Sequence, residues 1–151
     1  MKRASEHATR TTRDPALTGR NDRQARRVGQ QAKNRVRAGV TASFTLAAIS
    51  TVLFLMPAPA TPDAAPSHID KVVHFVLFFL MVLPGLSVVP RSWVWVVPLA
   101  ICFGALIEFI QPMFGRGFSW ADMVANALGA MSAVPLAWWA NTRWLERRKL
   151  Q

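Results

Sequence analysis

The sequence has no tyrosine, a single cysteine (Cys102) and few charged residues beyond residue 38. One cysteine excludes a scaffold of intrachain disulfides. Charged residues make up 17% of the chain, whereas an ordinary soluble domain has about a quarter. Residues 1–38 hold eleven of the eighteen Lys and Arg but only three of the eight acids. The remainder is too apolar for a water-soluble core of normal polarity, and its apolar content also excludes a wholly disordered chain.

Four long apolar segments dominate the rest of the chain, each 18 to 20 residues long. They run over 39–56, 72–89, 92–111 and 123–140. About 20 residues of helix cross a hydrocarbon core about 30 Å thick, and helices are expected because lipid offers no partners to unpaired backbone groups. Pro84, Pro98 and Pro135 lie inside three segments, where they indicate kinks. The sequence therefore predicts an all-α, four-helix transmembrane bundle.

Three parts follow from this pattern. A disordered basic cytoplasmic tail is expected over 1–38, a four-span membrane domain over 39–142 and a basic cytoplasmic tail over 143–151. The first apolar segment has an alternative as a signal peptide, because Ala58-Pro59-Ala60 loosely matches a cleavage site. We expect an uncleaved anchor, because both the charged region and the apolar stretch are longer than in signal peptides. The tail lacks aromatic residues that would stack bases, so we expect attraction to anionic lipid and no nucleic-acid partner.

The distribution of Lys and Arg predicts the orientation. With a cytoplasmic amino terminus, 16 of the 18 basic residues lie on the inner side, and only Lys71 and Arg116 lie outside. The positive-inside rule therefore predicts that both termini are cytoplasmic. The tryptophans fall near the ends of the segments, which is typical of interfacial anchors. Cys102 lies in mid-span among apolar residues, where a packing role is expected.

Polar residues gather near the outer ends of three segments in this topology. They are Asp70, Lys71, His74, Glu108, Gln111, Arg116, Asp122 and Asn126. Spacings of three or four residues place the members from each segment on one helix face. An ionisable group inside a span costs about 2.5–3.5 kcal/mol on insertion scales and usually faces a partner or a wet cavity. A structural polar network and a binding or catalytic pocket both remain open.

The motifs of this region also stand in a recognisable order. Asp70-Lys71-x-x-His74 is followed by Glu108 and Gln111 three residues apart, and then by Arg116, Ser119-x-x-Asp122 and Asn126-x-x-Gly129. This pattern resembles the VanZ-like family of membrane proteins over about residues 40–142. The family takes its name from a protein linked to low-level resistance to teicoplanin, a glycopeptide that acts at the cell envelope. The resemblance implies an integral protein of the bacterial plasma membrane, without a settled activity.

Two interpretations of the polar residues differ in their consequences. In the first, the chain recognises or processes an envelope lipid or a lipid-linked headgroup. His74, Glu108 and Asp122 are then the candidate catalytic residues, with His74 as the acid or base. The candidate ligand-binding residues are Asp70, Lys71, Gln111, Arg116 and Asn126. In the second, the protein is noncatalytic and the same residues lock three helices together.

Partners and cofactors are expected accordingly. Membrane lipids are the expected partners, together with an envelope lipid-linked or glycopeptide-related ligand, and the oligomeric state is left open. No cofactor is expected. No metal is expected either, because no helix carries an H-x-x-x-H or H-E-x-x-H spacing and because Lys71 and Arg116 compete for the carboxylates. Ser119 and Asp122 have the spacing of a capping box, so Ser119 is expected to cap the fourth helix.

Overall fold

The computed structural model describes the backbone of residues 15–56 and 68–149, and the side chains of 23–56 and 68–147. These ranges contain four α-helices and no strand. The helices are α1 (Pro15–Leu55), α2 (His68–Val88), α3 (Trp93–Ile110) and α4 (Trp120–Lys149). Short 3₁₀ turns follow α2 at Pro90–Ser92 and α3 at Gln111–Phe114.

All four helices are long and apolar enough to cross a membrane. The shortest such span in the described ranges, His68–Val88, has 21 residues, which is about 32 Å of helix. Pro84, Pro98 and Pro135 all lie inside helices, as expected for a bundle in which neighbouring helices satisfy freed backbone groups. The predicted all-α architecture with four spans is confirmed.

The beginning of α1 differs from the sequence-based expectation. The chain divides into two compact units, Met1–Asn34 and Arg35–Gln151. In the first unit the helix begins at Pro15, inside the stretch that was expected to be disordered. Helix α1 thus covers residues 15–38 of the expected tail, and residues 1–14 lie outside the described residues. Extending an existing helix adds one hydrogen bond per residue, and this stretch is rich in Ala, Arg and Gln, which favour helix.

The second unit is built on close packing between α2 and α4. Gly129 brings α4 against the backbone of Phe75 on α2, where a Cβ atom would overlap the Phe75 carbonyl oxygen. Ala130, Ala133 and Ala137 continue this small-residue stripe and are fully buried. Small residues let two helix backbones approach closely, which is the usual device for helix association in a membrane.

Side chains from neighbouring helices complete the backbone of α2 near its carboxyl end. The Gly85 amide, next to Pro84, donates to the Ser43 hydroxyl at 3.0 Å. The Ser87 carbonyl accepts hydrogen bonds from Arg35 at 3.1 Å and from Asn141 at 3.0 Å. Helix ends and prolines leave carbonyls without intrahelical partners. These contacts fix the end of the bundle that is opposite to the polar residues.

The outer surface of the bundle is apolar, as a lipid-facing surface must be. Trp95 and Trp120 are exposed near the beginnings of α3 and α4, and Trp139 is exposed within α4. Cys102 is also exposed, on α3, so the expected packing role is wrong. Hydropathy alone could not place it, because lipid-facing and core-facing positions of a membrane helix are equally apolar.

Candidate functional site

Five polar side chains are buried together where α2 begins, α3 ends and α4 begins. We call them the polar cluster: His74, Glu108, Gln111, Asp122 and Asn126. None of them exposes more than 3% of its surface. All five are candidates from the sequence. Their burial arises because spacings of three and four residues turn each helix's polar face toward the bundle interior.

His74 lies at the centre of the cluster and contacts three helices. Its ring stacks on Phe54 of α1, with centroids 4.1 Å apart. Its Nδ1 lies 3.0 Å from Asn126 Oδ1 and 3.6 Å from Glu108 Oε1. Because the Asn126 oxygen can only accept a hydrogen bond, Nδ1 carries the proton in this contact. The amide of Asn126, rather than a carboxylate, therefore orients the imidazole.

A capping arrangement at the start of α4 links it to α3. The Ser119 hydroxyl accepts a hydrogen bond from the Asp122 amide at 3.2 Å, which is the expected N-cap contact. In a full capping box, the Asp122 carboxylate would accept from the Ser119 amide. Here that amide instead donates to Glu108 Oε2 at 3.2 Å. Glu108 thus caps α4 from α3 and leaves the Asp122 carboxylate free of the capping role.

An ion pair lies at the more exposed edge of the cluster. Arg116 Nη2 donates to Asp70 Oδ1 at 3.2 Å, and the two side chains are 23% and 34% exposed. We call these two residues the rim. The pairing joins the start of α2 to the turn before α4. It also places the Arg116 guanidinium at the exposed edge of the cluster. The parallel N–H donors of a guanidinium suit phosphate and carboxylate groups.

Lys71 is the candidate that the structure does not bring into the cluster. Its side chain is partly buried, and within 23–56 and 68–147 it has no hydrogen bond or ion pair. Lys71 follows Asp70 by one residue, so it points about 100° away from the face that Asp70 shares with His74. Its predicted role in binding an anion stays a prediction.

Helix α1 contributes residues that the motifs did not reveal. Gln111 Nε2 donates to the Phe54 carbonyl at 3.3 Å, near the end of α1. Ser50, one turn earlier, is fully buried, and its hydroxyl has no hydrogen-bond partner among the described residues. The only signal in the sequence was a lone serine placed four residues before a phenylalanine, which is too common to single out.

Five buried polar atoms, four of them in the polar cluster and one on Ser50, have no hydrogen-bond partner within the described residues. They are Ser50 Oγ, His74 Nε2, Glu108 Oε1, Asp122 Oδ1 and Asn126 Nδ2. Leaving a buried polar atom unpaired costs about 1–3 kcal/mol, and more for charged groups. These atoms come from all four helices, and four of them belong to the polar cluster. The arrangement is suited to a polar ligand.

Three side chains also have the separation that a metal ion requires. One ligand atom each from Asp70, His74 and Asp122 lie within 4.8 Å of one another. Two come from α2, four residues apart, and the third comes from the first turn of α4. A cation with bonds of about 2.0–2.2 Å separates opposite ligand atoms by up to about 4.4 Å. The three side chains therefore fit one ion with small rotations.

Four membrane-length helices around a buried polar cluster define a multi-pass integral membrane protein of the helical-bundle class. The chain matches the VanZ/LLP1 family over residues 20–141. It belongs to this family, and the resemblance inferred from the motifs is confirmed. The match begins within the basic stretch, earlier than the motifs indicated. No curated protein and no solved structure matches the chain.

Proposed function

We propose that the chain lies in a bacterial plasma membrane with both termini in the cytoplasm. The support is the distribution of charge, since 16 of the 18 Lys and Arg fall on one side of the four spans. The positive-inside rule assigns that side to the cytoplasm. The polar cluster and its rim then lie just beneath the outer surface of the membrane.

We further propose that the cluster binds the polar headgroup of an envelope lipid or of a lipid-linked precursor. The observation that carries this proposal is the set of buried, unpaired atoms on His74, Glu108 and Asp122. A purely structural network gains stability by pairing its polar atoms, because a half-satisfied network is costly in a low-dielectric interior. An amphiphile is the natural ligand, since its headgroup meets the cluster while its tail stays in lipid.

Each residue takes a role that follows from its present contacts. Arg116 is the anion-binding group, because its fork suits a phosphate and it is accessible at the rim. His74 presents Nε2 to the ligand, held by the Asn126 contact at Nδ1. Asp122 presents a free carboxylate oxygen. If a bond is cleaved or formed, His74 is the group suited to transfer a proton.

A second function, a polar lock between helices, has its own support. Gln111 ties α3 to α1 through the Phe54 carbonyl, and Glu108 caps α4 through the Ser119 amide. Both contacts join different helices and involve buried groups. The lock therefore rests on Gln111 and Glu108, whereas ligand binding rests on Asp122 and Arg116.

Lipid binding by the full chain in nanodiscs, followed by native mass spectrometry, tests the proposal. The probes are a polyprenyl phosphate and phosphatidylglycerol, each compared with phosphatidylcholine. We expect Arg116→Gln to weaken retention of an anionic probe at least tenfold with little change in thermal stability, because it removes the cation at the rim. Arg91→Gln is the matched control, because Arg91 is exposed at the opposite end of the bundle.

The outcome separates the two functions. If neither anionic probe is retained over phosphatidylcholine, or if Arg116→Gln binds them as the wild type does, headgroup binding is refuted. If Arg116→Gln instead lowers the thermal unfolding temperature and leaves binding unchanged, Arg116 belongs to the lock as well.

A further inference from the structure

We propose that Asp70, His74 and Asp122 bind one divalent metal ion, of the kind of Mn²⁺ or Zn²⁺, at the outer end of the bundle. One ligand atom from each lies within 4.8 Å of the others. Carboxylate oxygens favour Mn²⁺ and similar hard cations, and imidazole favours Zn²⁺ and its neighbours. A mixed set of one nitrogen and two oxygens suits either ion.

The ligand atoms are available, which is the second observation in favour of a site. His74 is fully buried, and its Nε2 has no partner among the described residues. Asp122 is 3% exposed, and its Oδ1 is likewise unpaired. Asp70 uses only Oδ1 in its pair with Arg116, so its other carboxylate oxygen stays free. Each residue thus has one oxygen or nitrogen atom that makes no hydrogen bond to the described residues.

The surroundings of His74 have the form of a second coordination shell. Nδ1 donates to Asn126 Oδ1 at 3.0 Å, with Glu108 Oε1 a further neighbour at 3.6 Å. A ligating histidine usually donates its other ring N–H to an oxygen, which fixes the tautomer and directs the lone pair at the metal. The Asn126 contact leaves that lone pair on Nε2.

The capping arrangement at α4 also leaves the third ligand, Asp122, without a capping role. Because Glu108 accepts the Ser119 amide, Asp122 is not needed as the reciprocal cap. The Asp122 carboxylate therefore lies at the first turn of α4 with its Oδ1 buried and without a hydrogen-bond partner among the described residues. The departure from an ordinary capping box has a direct explanation if Asp122 is a ligand.

The charges are balanced for such an ion. The two carboxylates of Asp70 and Asp122 neutralise a divalent cation, and the Arg116 guanidinium lies beside Asp70. Three protein ligands leave at least one coordination position open in a tetrahedral or larger shell. An anionic group would meet both the ion and the guanidinium. This consequence rests on the proposed headgroup binding, whereas binding of the ion itself does not.

Competition from basic side chains does not prevent this arrangement. Lys71 makes no ion pair among the residues at 68–147, and Arg116 uses one oxygen of Asp70. The three ligands also come from two helices, so a sequence motif within one helix cannot identify the site. Only Asp70 and His74, four residues apart, share a face in the manner of a metal-binding pair.

Mn²⁺ binding by the full chain in detergent tests the proposal. After treatment with EDTA and removal of the chelator, the loss of the free Mn²⁺ signal in electron paramagnetic resonance measures the bound ion. We expect one ion per chain, with binding at least tenfold weaker in Asp70→Asn and in Asp122→Asn. Glu146→Gln is the matched control, since it removes an exposed carboxylate from the far end of α4 and should bind as the wild type does.

Two further measurements separate loss of a ligand from loss of the fold. Asn126→Ala keeps all three ligands but removes the acceptor at Nδ1, and changes of this kind typically weaken metal affinity 10–100-fold. Pulsed resonance on bound Mn²⁺ should show coupling to an imidazole nitrogen, and His74→Gln should abolish it. Thermal unfolding without metal identifies any variant that is misfolded.

The results distinguish this proposal from the proposed function. Absence of stoichiometric Mn²⁺ binding, absence of nitrogen coupling, or wild-type binding by both folded aspartate variants overturns the metal site. Retention of an anionic lipid after EDTA, in a chain that binds no ion, overturns the metal site alone. Metal binding without retention of any anionic lipid overturns headgroup binding and leaves the metal site standing.

Discussion

The contact between Gly129 and Phe75 offers the sharpest test of how the fold positions the site. A Cβ atom at Gly129 would overlap the Phe75 carbonyl oxygen, and it would lie 3.0 Å from the carbonyl carbon and 3.2 Å from the Cα. These are backbone atoms and cannot rotate aside. We therefore expect Gly129→Ala to push α2 and α4 apart by about 1 Å, the scale of such a steric overlap.

The expected cost follows from three contributions. Alanine stabilises a helix relative to glycine by about 1 kcal/mol. This contribution to the free energy of unfolding is smaller in detergent, because the unfolded state there keeps its helices. Overpacking a close contact costs about 1–3 kcal/mol. The His74–Asn126 contact at 3.0 Å is one residue from Phe75 and one turn from Gly129, and stretching it costs about 1–3 kcal/mol more. We expect a net loss of about 3 kcal/mol.

The assay is the free energy of unfolding in mixed micelles, followed by loss of helix packing. Gly29→Ala is the matched control, because no atom within 4 Å would meet its Cβ. That control should change stability by less than about 1 kcal/mol. If Gly129→Ala is as stable as the wild type, the close approach of α2 and α4 is not what positions His74 against Asn126.

Two further predictions concern the cap and the orientation. Ser119→Ala should lower the free energy of unfolding by about 1 kcal/mol, because the Asp122 amide loses its acceptor at the start of α4. Ser119→Thr keeps a hydroxyl and should retain most of the wild-type stability. If thermal unfolding shows the same loss for both variants, the capping role is contradicted. In a Cys102→Ser background, Met113→Cys should react with an impermeant maleimide in intact cells, whereas Arg91→Cys should react only after permeabilisation, since the two exposed positions lie at opposite ends. The reverse pattern would overturn the proposed orientation.

Much of the fold follows from hydropathy and spacing alone. Segments expected over 72–89 and 92–111 correspond to α2 and to α3 with its turn. The Ser119 cap was also expected, because its geometry involves only neighbouring residues. These features are local or depend on length, so a single sequence specifies them. The extension of α1 back to Pro15 escaped prediction because helix propagation can override a polar composition.

The partners within the site depend on information that spacing does not contain. A spacing of four residues places Asp70 and His74 on one face, but it does not fix the rotation of α2 against α3 and α4. That rotation decides that His74 contacts Asn126 more closely than Glu108. It also leaves Lys71 outside the cluster. The membership of the cluster was thus largely predictable, whereas its pairing was not.

At Glu108 and His74, the contacts that join helices and the atoms proposed to bind a ligand belong to the same side chains. Glu108 accepts the Ser119 amide with Oε2, and its Oε1 makes no hydrogen bond and lies 3.6 Å from His74 Nδ1. His74 donates Nδ1–H to Asn126, and its Nε2 makes no hydrogen bond. One side of each group therefore fastens helices together, and the other side is left without a partner. Binding groups must be held rigidly by supporting contacts if they are to recognise a ligand. The interhelical hydrogen bonds supply that rigidity, and the unpaired atoms supply the chemistry.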